Sequence, residues 1–349
     1  MSLESTLLWC VVVIGGLVAA TYVVHGIWRA RGAWRIRQAG PRPLTSIEHV
    51  LWRDPGDVGQ RDLAAGPGGS DGRPVPPFRF LEEHLTGSQP CVSLIDHRRR
   101  RWRAKWGQEV SSETFAVRLV WACGYFAETT YLVPEGTIEG AENLQRAGTC
   151  LDENCRFRSA RFELDDPAVN KLFEEHSWAW DDNPFLGSRE LQGLKILNML
   201  LSNWDTKDRR DVARGSNTAI FEHTTSRGRE ARYLITDWGG CMGSWGANVI
   251  TRGRWDAAAF AAQTPRFVGG VEDGVVKFGY AGQRTEDVAS AISPQDVRWL
   301  CTYLGQISDH QIADALTASG ASGEELVQFQ TALRDRIEQL LAVCEASKD

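Results

Sequence analysis

The chain runs to 349 residues, 42% hydrophobic and 24% charged, which is the make-up of a folded protein and excludes collagen-like, disulfide-scaffold and wholly disordered chains. Thirty-nine basic against forty-five acidic side chains leave a net charge of −6, so no bulk positive charge argues for nonspecific nucleic-acid binding. Eight cysteines occur without a CxxC or a Cys/His cluster, which argues against zinc ribbons and c-type haem; Cys150 and Cys155 are the one close pair, and scattered buried thiols are the plainer reading.

After a tail of residues 1–6, the run Leu7–Trp28 carries no charged side chain unless His25 protonates, and at about 1.5 Å per residue it spans roughly 33 Å, which predicts one transmembrane helix. The preceding Met-Ser-Leu-Glu lacks the positive charge of a signal peptide, so an uncleaved anchor is expected. Arg29, Arg31, Arg35, Arg37 and Arg42 follow at once, and this excess predicts a single-pass membrane protein with its soluble domain in the cytoplasm. Residues 29–77 join that basic segment to a Gly-, Pro- and Asp-rich stretch from Arg53 to Pro77, which has no apolar period and reads as a flexible tether.

The soluble domain is expected from Phe78 onward, without internal repeats. Cys91–Asp96 and Trp102–Trp106 alternate like strands around the basic turn His97–Arg101, a hairpin signal. A helix capped by Ser111 or Ser112 should place Glu113, Ala116, Val117 and Val120 on one face. A stronger helix, Ser188–Ser202, has Leu191, Leu194, Leu197 and Leu201 at helical spacing and stops at Asn203-Trp204-Asp205. Two strand-like runs follow, Thr218–Thr224 and Ala231–Thr236, the second ending in Asp237-Trp238-Gly239-Gly240. The last hundred residues read as helical, for example Pro294–Ile307 and Gly323–Leu341.

This order sets a buried helix, a loop holding Asp205, Lys207, Asp208 and Asp211, a β-hairpin, and an Asp at a strand end before two glycines in succession. Phosphoryl transfer asks for those groups: a carboxylate to orient the attacking hydroxyl, carboxylates for Mg²⁺, and cations on the phosphates. Asp205 would be the catalytic base, Asp237 the principal metal ligand, and Lys207 a cation on the transferred group. Lys105, on the face of its strand opposite Trp102 and Trp106, would reach the nucleotide phosphates, and the inward-pointing Glu113 needs a cation, which suggests a Lys105–Glu113 pair with Glu109 as the alternative partner. The Thr86-Gly87-Ser88 turn is too common a motif to carry weight.

The runs WRAKWGQEVSSETFAVRLVWACGYF, NPFLGSRELQGLKILNMLLSNWDTKD and YLITDWGG resemble an uncharacterised bacterial family with an atypical protein-kinase-like fold, similar in active-site layout to HipA-type, phosphatidylinositol-kinase-like and secretory-pathway or spore-coat kinases. The resemblance covers roughly Cys91 to Leu341 and implies an α+β, two-lobed kinase-like domain: a nucleotide-binding lobe over 78–135 and a catalytic, C-terminally helical lobe over 136–349. It implies ATP and Mg²⁺ or Mn²⁺ as cofactors, a protein or small-molecule hydroxyl as acceptor, Lys105 and Glu113 at the nucleotide, Asp205 as base, and Asp237 with Asp211 at the metal. In such kinases an Asn sits five residues after the catalytic Asp; here that position is Arg210, and Asp211 is the substitute. The alternative is a pseudokinase that senses nucleotide or binds a partner without turnover.

Single features also have plainer readings. Asp205 and Asp237 each suit a turn, the His97–Arg101 turn suits an exposed hairpin end, and fourteen tryptophans suit core packing. Glu174-Glu175-His176 lacks a second cluster to complete a metal site, and His223 needs no role.

Overall fold

Five strands whose apolar residues alternate with charged ones curl into a barrel in a computed structural model that describes residues 47–87, 89–166, 170–171, 178–206, 217–226, 228–246, 248–283 and 285–346. They are β2 (Phe78–His84), β3 (Cys91–Ile95), β4 (Arg101–Lys105), β5 (Thr130–Glu139) and β6 (Arg156–Leu164), hydrogen-bonded in the order β2-β3-β4-β6-β5. A short parallel pairing, Phe78 with Ile138 and Arg79 with Glu139, closes the ring. The interior is aromatic: Phe78, Trp102, Tyr131, Phe157 and Phe162 are all buried, with the Phe78 and Phe162 ring centroids 4.9 Å apart.

Helix α1 (Val110–Ala122) lies against β5 and β6 and is buried along nearly its whole length, because it packs on the barrel on one side and the helical body on the other. A second sheet contains β1 (Glu48–Val50), β7 (Asn170–Lys171), β8 (Thr218–Thr225) and β9 (Gly228–Ile235) in the order β1-β9-β8-β7, with β1 parallel to β9. The body is built from α2 (Arg189–Leu200), α3 (Ala257–Gln263), the hairpin β10 (Val268–Glu272) and β11 (Val275–Phe278), α4 (Thr285–Val288), α5 (Pro294–Leu304), α6 (Asp309–Ala318) and α7 (Gly323–Ala346). Ser188 caps α2 by accepting from Leu191 N, and Ser293 and Ser308 open α5 and α6 with capping boxes.

Local elements follow the periodicity of the sequence; their assembly does not follow the expected architecture. The two-lobed, protein-kinase-like α+β domain behind a transmembrane helix is corrected to a mixed α/β structure with a closed five-strand barrel and, among the described residues, seven α-helices. The expected division after residue 135 runs through β5 and parts β6 from the barrel in which it pairs with both β4 and β5. The single-pass membrane placement is likewise not supported: among the described residues no helix is long and apolar enough to cross a membrane. The longest, α7, carries Glu324, Glu325, Arg334, Asp335, Arg336 and Glu338. Leu7–Trp28 and the arginines up to Arg42 lie outside the described residues.

The stretch from Arg53 to Pro77 is not a loose tether but a strap on the core. Leu51, Val58 and Leu63 are buried, and the Gln311 side-chain amide donates to Val58 O at 2.9 Å and Arg61 O at 2.9 Å. The strap crosses α1 where Arg53 N donates to Gly124 O at 2.9 Å, and it meets the barrel where Tyr131 OH donates to Gly69 O at 2.7 Å. Glycine is required in the second contact, since a Cβ on Gly68 would sit 2.1 Å from the Tyr131 hydroxyl. The basic turn serves the same purpose: Arg100 pairs with Asp96 at 2.9 Å and donates to Gly72 O at 2.8 Å.

Candidate functional site

Asp205 is delivered by the end of α2. Leu191, Leu194, Leu197 and Leu200 bury that helix in the body, and its end is fixed by Arg336 of α7, whose Nη1 donates to Leu200 O and Ser202 Oγ at 2.8 Å each. Ser202 takes a left-handed φ of 58° and turns the chain out of the helix. Asn203 is then held by Asn198 Nδ2 on its carbonyl oxygen at 3.2 Å.

Asp237 arrives from the end of β9, and two asparagines tie it to Asp205. Asn203 donates through Nδ2 to Asp237 O at 3.3 Å, while its Oδ1 accepts from Asp205 N at 3.4 Å. Asn217, at the start of β8, donates to Asp205 O at 2.6 Å, and its own carbonyl accepts from Thr236 N at 2.9 Å and Asp237 N at 3.3 Å. Gln283 donates to Asp205 Oδ1 at 2.9 Å, and Gly239 N to Asp237 Oδ1 at 2.9 Å. Gly240 closes this frame so tightly that a Cβ would meet Asn203 Oδ1 at 2.9 Å and the Asp205 Cβ at 3.3 Å.

From the barrel comes a buried chain of charges. Lys105, at the end of β4, pairs with Glu163 at 3.3 Å; Arg161 pairs with Glu163 at 3.0 Å and also with Glu113 of α1. The expected Lys105–Glu113 pair is therefore corrected. The β4–β6 register sets Lys105 opposite Arg161, so Arg161 stands where Glu113 looks for its cation and Glu163 takes Lys105. Burial alone would raise the Glu163 carboxyl, but Lys105, Arg161 and Arg103 outweigh it and hold the group down at about 2. Glu113 goes the other way: burial pushes it up to about 8, with Asp237 adding to the rise and Arg161 opposing it. Lys105 is raised, chiefly by Glu163.

The two halves meet electrostatically. Asp237 is close enough to raise both Glu113 and Glu109, and Glu109 in turn pairs with Arg254 from the stretch after Asp237. Lys207, Asp208, Arg210 and Asp211 lie outside the described residues. Asn217, twelve positions after Asp205, brings a side-chain amide to the Asp205 carbonyl, and only the fold, which returns the chain to Asp205 at the start of β8, reveals it. Arg161 and Glu163 also escaped the sequence reading, although charges on the face of β6 opposite Phe162 were their signal.

Among the described residues no group of three or more His, Cys, Asp or Glu stands ready for a metal ion. The chemistry around Asp237 nevertheless fits a hard divalent cation. Its neighbours Glu109 and Glu113 are raised by burial and, secondarily, by its charge, and Asp237, Asp205 and Asn217 carry side-chain oxygens of the kind such a cation takes. No family model, no curated protein and no solved structure matches the chain.

Proposed function

We propose that the protein transfers the γ-phosphoryl group of ATP to a hydroxyl acceptor. The observation that carries this reading is the pair of aspartates, one from a helix end and one from a strand end, locked on the shared Asn203, Asn217 and Gly240 frame beside a buried Lys–Glu–Arg–Glu chain. The motif resemblance of the NWDTKD and DWGG runs points the same way. Asp205, fixed by Gln283, orients the acceptor hydroxyl and takes its proton. Lys105, held cationic by Glu163, balances the nucleotide phosphates, while the buried Arg161 backs it through Glu113 and Glu163. A cleft of about 600 Å³ lined by Arg103, Phe126, Glu163, Leu164 and Leu234 adjoins that chain and has room for a nucleobase. Asp237 and Asn217 would hold Mg²⁺ or Mn²⁺, which when bound neutralises phosphate charge.

A second reading, a nucleotide-sensing or partner-binding module without turnover, is favoured by one observation: Lys105 is already engaged by Glu163 and Glu113 by Arg161. The test is thermal stabilisation of the full chain by ATP with Mg²⁺ or Mn²⁺, against Lys105→Ala and Asp237→Ala, followed by turnover in wild type and Asp205→Asn. A metal-dependent shift lost in both alanine variants, with turnover lost in Asp205→Asn, is expected. A shift without turnover selects the second reading in its nucleotide-sensing form, and no shift in the wild type overturns the transfer reading and leaves the partner-binding form.

A further inference from the structure

The chain after Asp237 doubles back and brings an arginine to the catalytic loop. Met242 N donates to Leu201 O at 2.8 Å and Trp255 N to Cys241 O at 3.1 Å, so residues 252–254 return beside the end of α2. There the Arg254 guanidinium carbon lies 5.1 Å from the centroid of Trp204, the residue before Asp205, and its Nη1 pairs with Glu109 Oε1. Arg252 lies 5.1 Å from the same ring, with its Nε donating to Gly246 O at 2.7 Å. Trp204 is itself pinned by a hydrogen bond from Nε1 to Gly253 O at 2.8 Å.

Glu109 holds this arginine from a partly buried place beside Asp237. Burial raises its carboxyl and the charge of Asp237 raises it further, while Gly239 presses so close that a Cβ there would sit 2.7 Å from Glu109 Cδ. It also has a second place to go, since Gln89 hydrogen-bonds to it from the turn before β3.

We infer that Arg254, laid on Trp204 beside Asp205, is the recognition cation for an anionic group carried by the phosphoryl acceptor, and that Glu109 occupies that cation in the free protein. This rests on the reading of Asp205 as the group that takes the acceptor's hydroxyl proton. A guanidinium fork suits a carboxylate or a phosphate, and the indole face orders it before the substrate arrives. Exchanging Glu109 for the acceptor's anion leaves Arg254 paired throughout, while the released Glu109, whose carboxyl is already raised by burial and Asp237, keeps its hydrogen bond with Gln89. A neutral acceptor cannot drive the exchange, so Glu109 selects for acidic acceptors by standing in their place.

The test uses inorganic phosphate, with succinate as the carboxylate arm, titrated by calorimetry at fixed ionic strength into the full-length, nucleotide-free protein. Glu109→Gln is expected to bind the preferred anion about tenfold more tightly than wild type, and Arg254→Gln about tenfold more weakly. Arg254→Lys, which keeps the charge but not the fork, should fall between wild type and Arg254→Gln, and it carries the test if the glutamine variant fails to fold. Equal or weaker binding by Glu109→Gln, or unchanged binding by Arg254→Lys, overturns the inference. A repeat with saturating ATP and Mg²⁺ should leave anion affinity unchanged; competition would assign Arg254 to the nucleotide and overturn it. Because the first titrations contain no nucleotide, they decide Arg254 even if ATP itself fails to bind.

Discussion

Arg336→Met should destabilise the protein by about 4 kcal/mol, because Arg336 is the bolt between the last helix and the loop that carries Asp205. Its guanidinium is fully buried and reaches four neutral acceptors: Leu200 O and Ser202 Oγ at 2.8 Å, and Phe260 O and Thr264 Oγ1 at 3.0 Å. The Phe260 ring centroid lies 3.6 Å from its central carbon and that of Trp245 4.7 Å. Burial pulls its pKa well below the usual arginine range, so desolvation already offsets part of what these contacts contribute. Methionine keeps most of the apolar contact with the rings but removes four hydrogen bonds, even though Phe260 O retains the Thr264 hydroxyl at 3.0 Å. At about 1 kcal/mol for each hydrogen bond lost, the loss is about 4 kcal/mol, roughly a thousandfold in the folding equilibrium. Urea unfolding followed by tryptophan fluorescence, with an unchanged slope, measures it. Arg336→Lys should recover only part of the loss, since a point charge cannot serve four acceptors. A loss below about 1 kcal/mol for methionine would show that ring packing rather than the guanidinium fork holds the helix end, and would refute the reasoning.

The two buried glutamates should give stability a maximum at mildly acidic pH. Glu163 is held near 2 against an ordinary value of 4.5, so it contributes about 3 kcal/mol above pH 4.5 that disappears as the pH falls toward 2. Glu113, raised to about 8, binds its proton more tightly in the folded state, so its contribution is full below pH 4.5 and is lost as the pH rises through 8. Glu113→Gln should therefore flatten the alkaline decline and spare the acidic one in denaturant midpoints from pH 3 to 9; an unchanged slope between 5 and 8 would refute the assignment. Gly240→Ala should lower turnover far more than global stability, since the added methyl displaces Asn203 Oδ1 and the Asp205 backbone; kinetics no different from wild type would exclude the shared frame.

What the sequence made legible is what a short window contains. The Leu191, Leu194, Leu197 spacing and the hairpin alternation around His97–Arg101 both appear where expected, because helix and strand periods are local properties. Barrel closure depends on Phe78 meeting Ile138, sixty positions away, and nothing in either neighbourhood announces it. The same limit explains the site. Asp205 and Asp237 stand at element ends, where turn chemistry marks them, and the structure brings them together through Asn203 and Asn217. The partner of Lys105 was misjudged because it is set by cross-strand register rather than by spacing. Arg161 is 48 residues from Glu113 in the chain yet is its ion-pair partner in space. The glycine-rich strap was misjudged for a related reason: composition argued for a tether, but Gly66 and Gly68 are glycine because Arg118 and Tyr131 leave no room for a side chain.

The charge balance around the aspartates constrains what can complete the site. Among the described residues Asp205, Asp237, Glu109, Glu113 and Glu163 gather with Lys105, Arg103, Arg161, Arg252 and Arg254, but on the Asp237 side Glu109 and Glu113 are both raised, by burial first and then by the charge of Asp237. Protonation of Glu113, pushed up to about 8, relieves one negative charge on that side but leaves Glu109 beside Asp237. Bare ATP bound at Asp237 would bring several further negative charges next to a group whose charge already helps raise Glu109 and Glu113, at a Coulombic cost that partial burial amplifies. On that reading ATP carrying a divalent cation would not meet that barrier, since Asp237 would hold the metal and Lys105 would balance the phosphates. The nucleotide reading therefore demands metal dependence of binding itself, not of turnover alone. Stabilisation by ATP that persists in a chelator would mean that the nucleotide lies away from Asp237, and the aspartate pair would then serve some chemistry other than phosphoryl transfer.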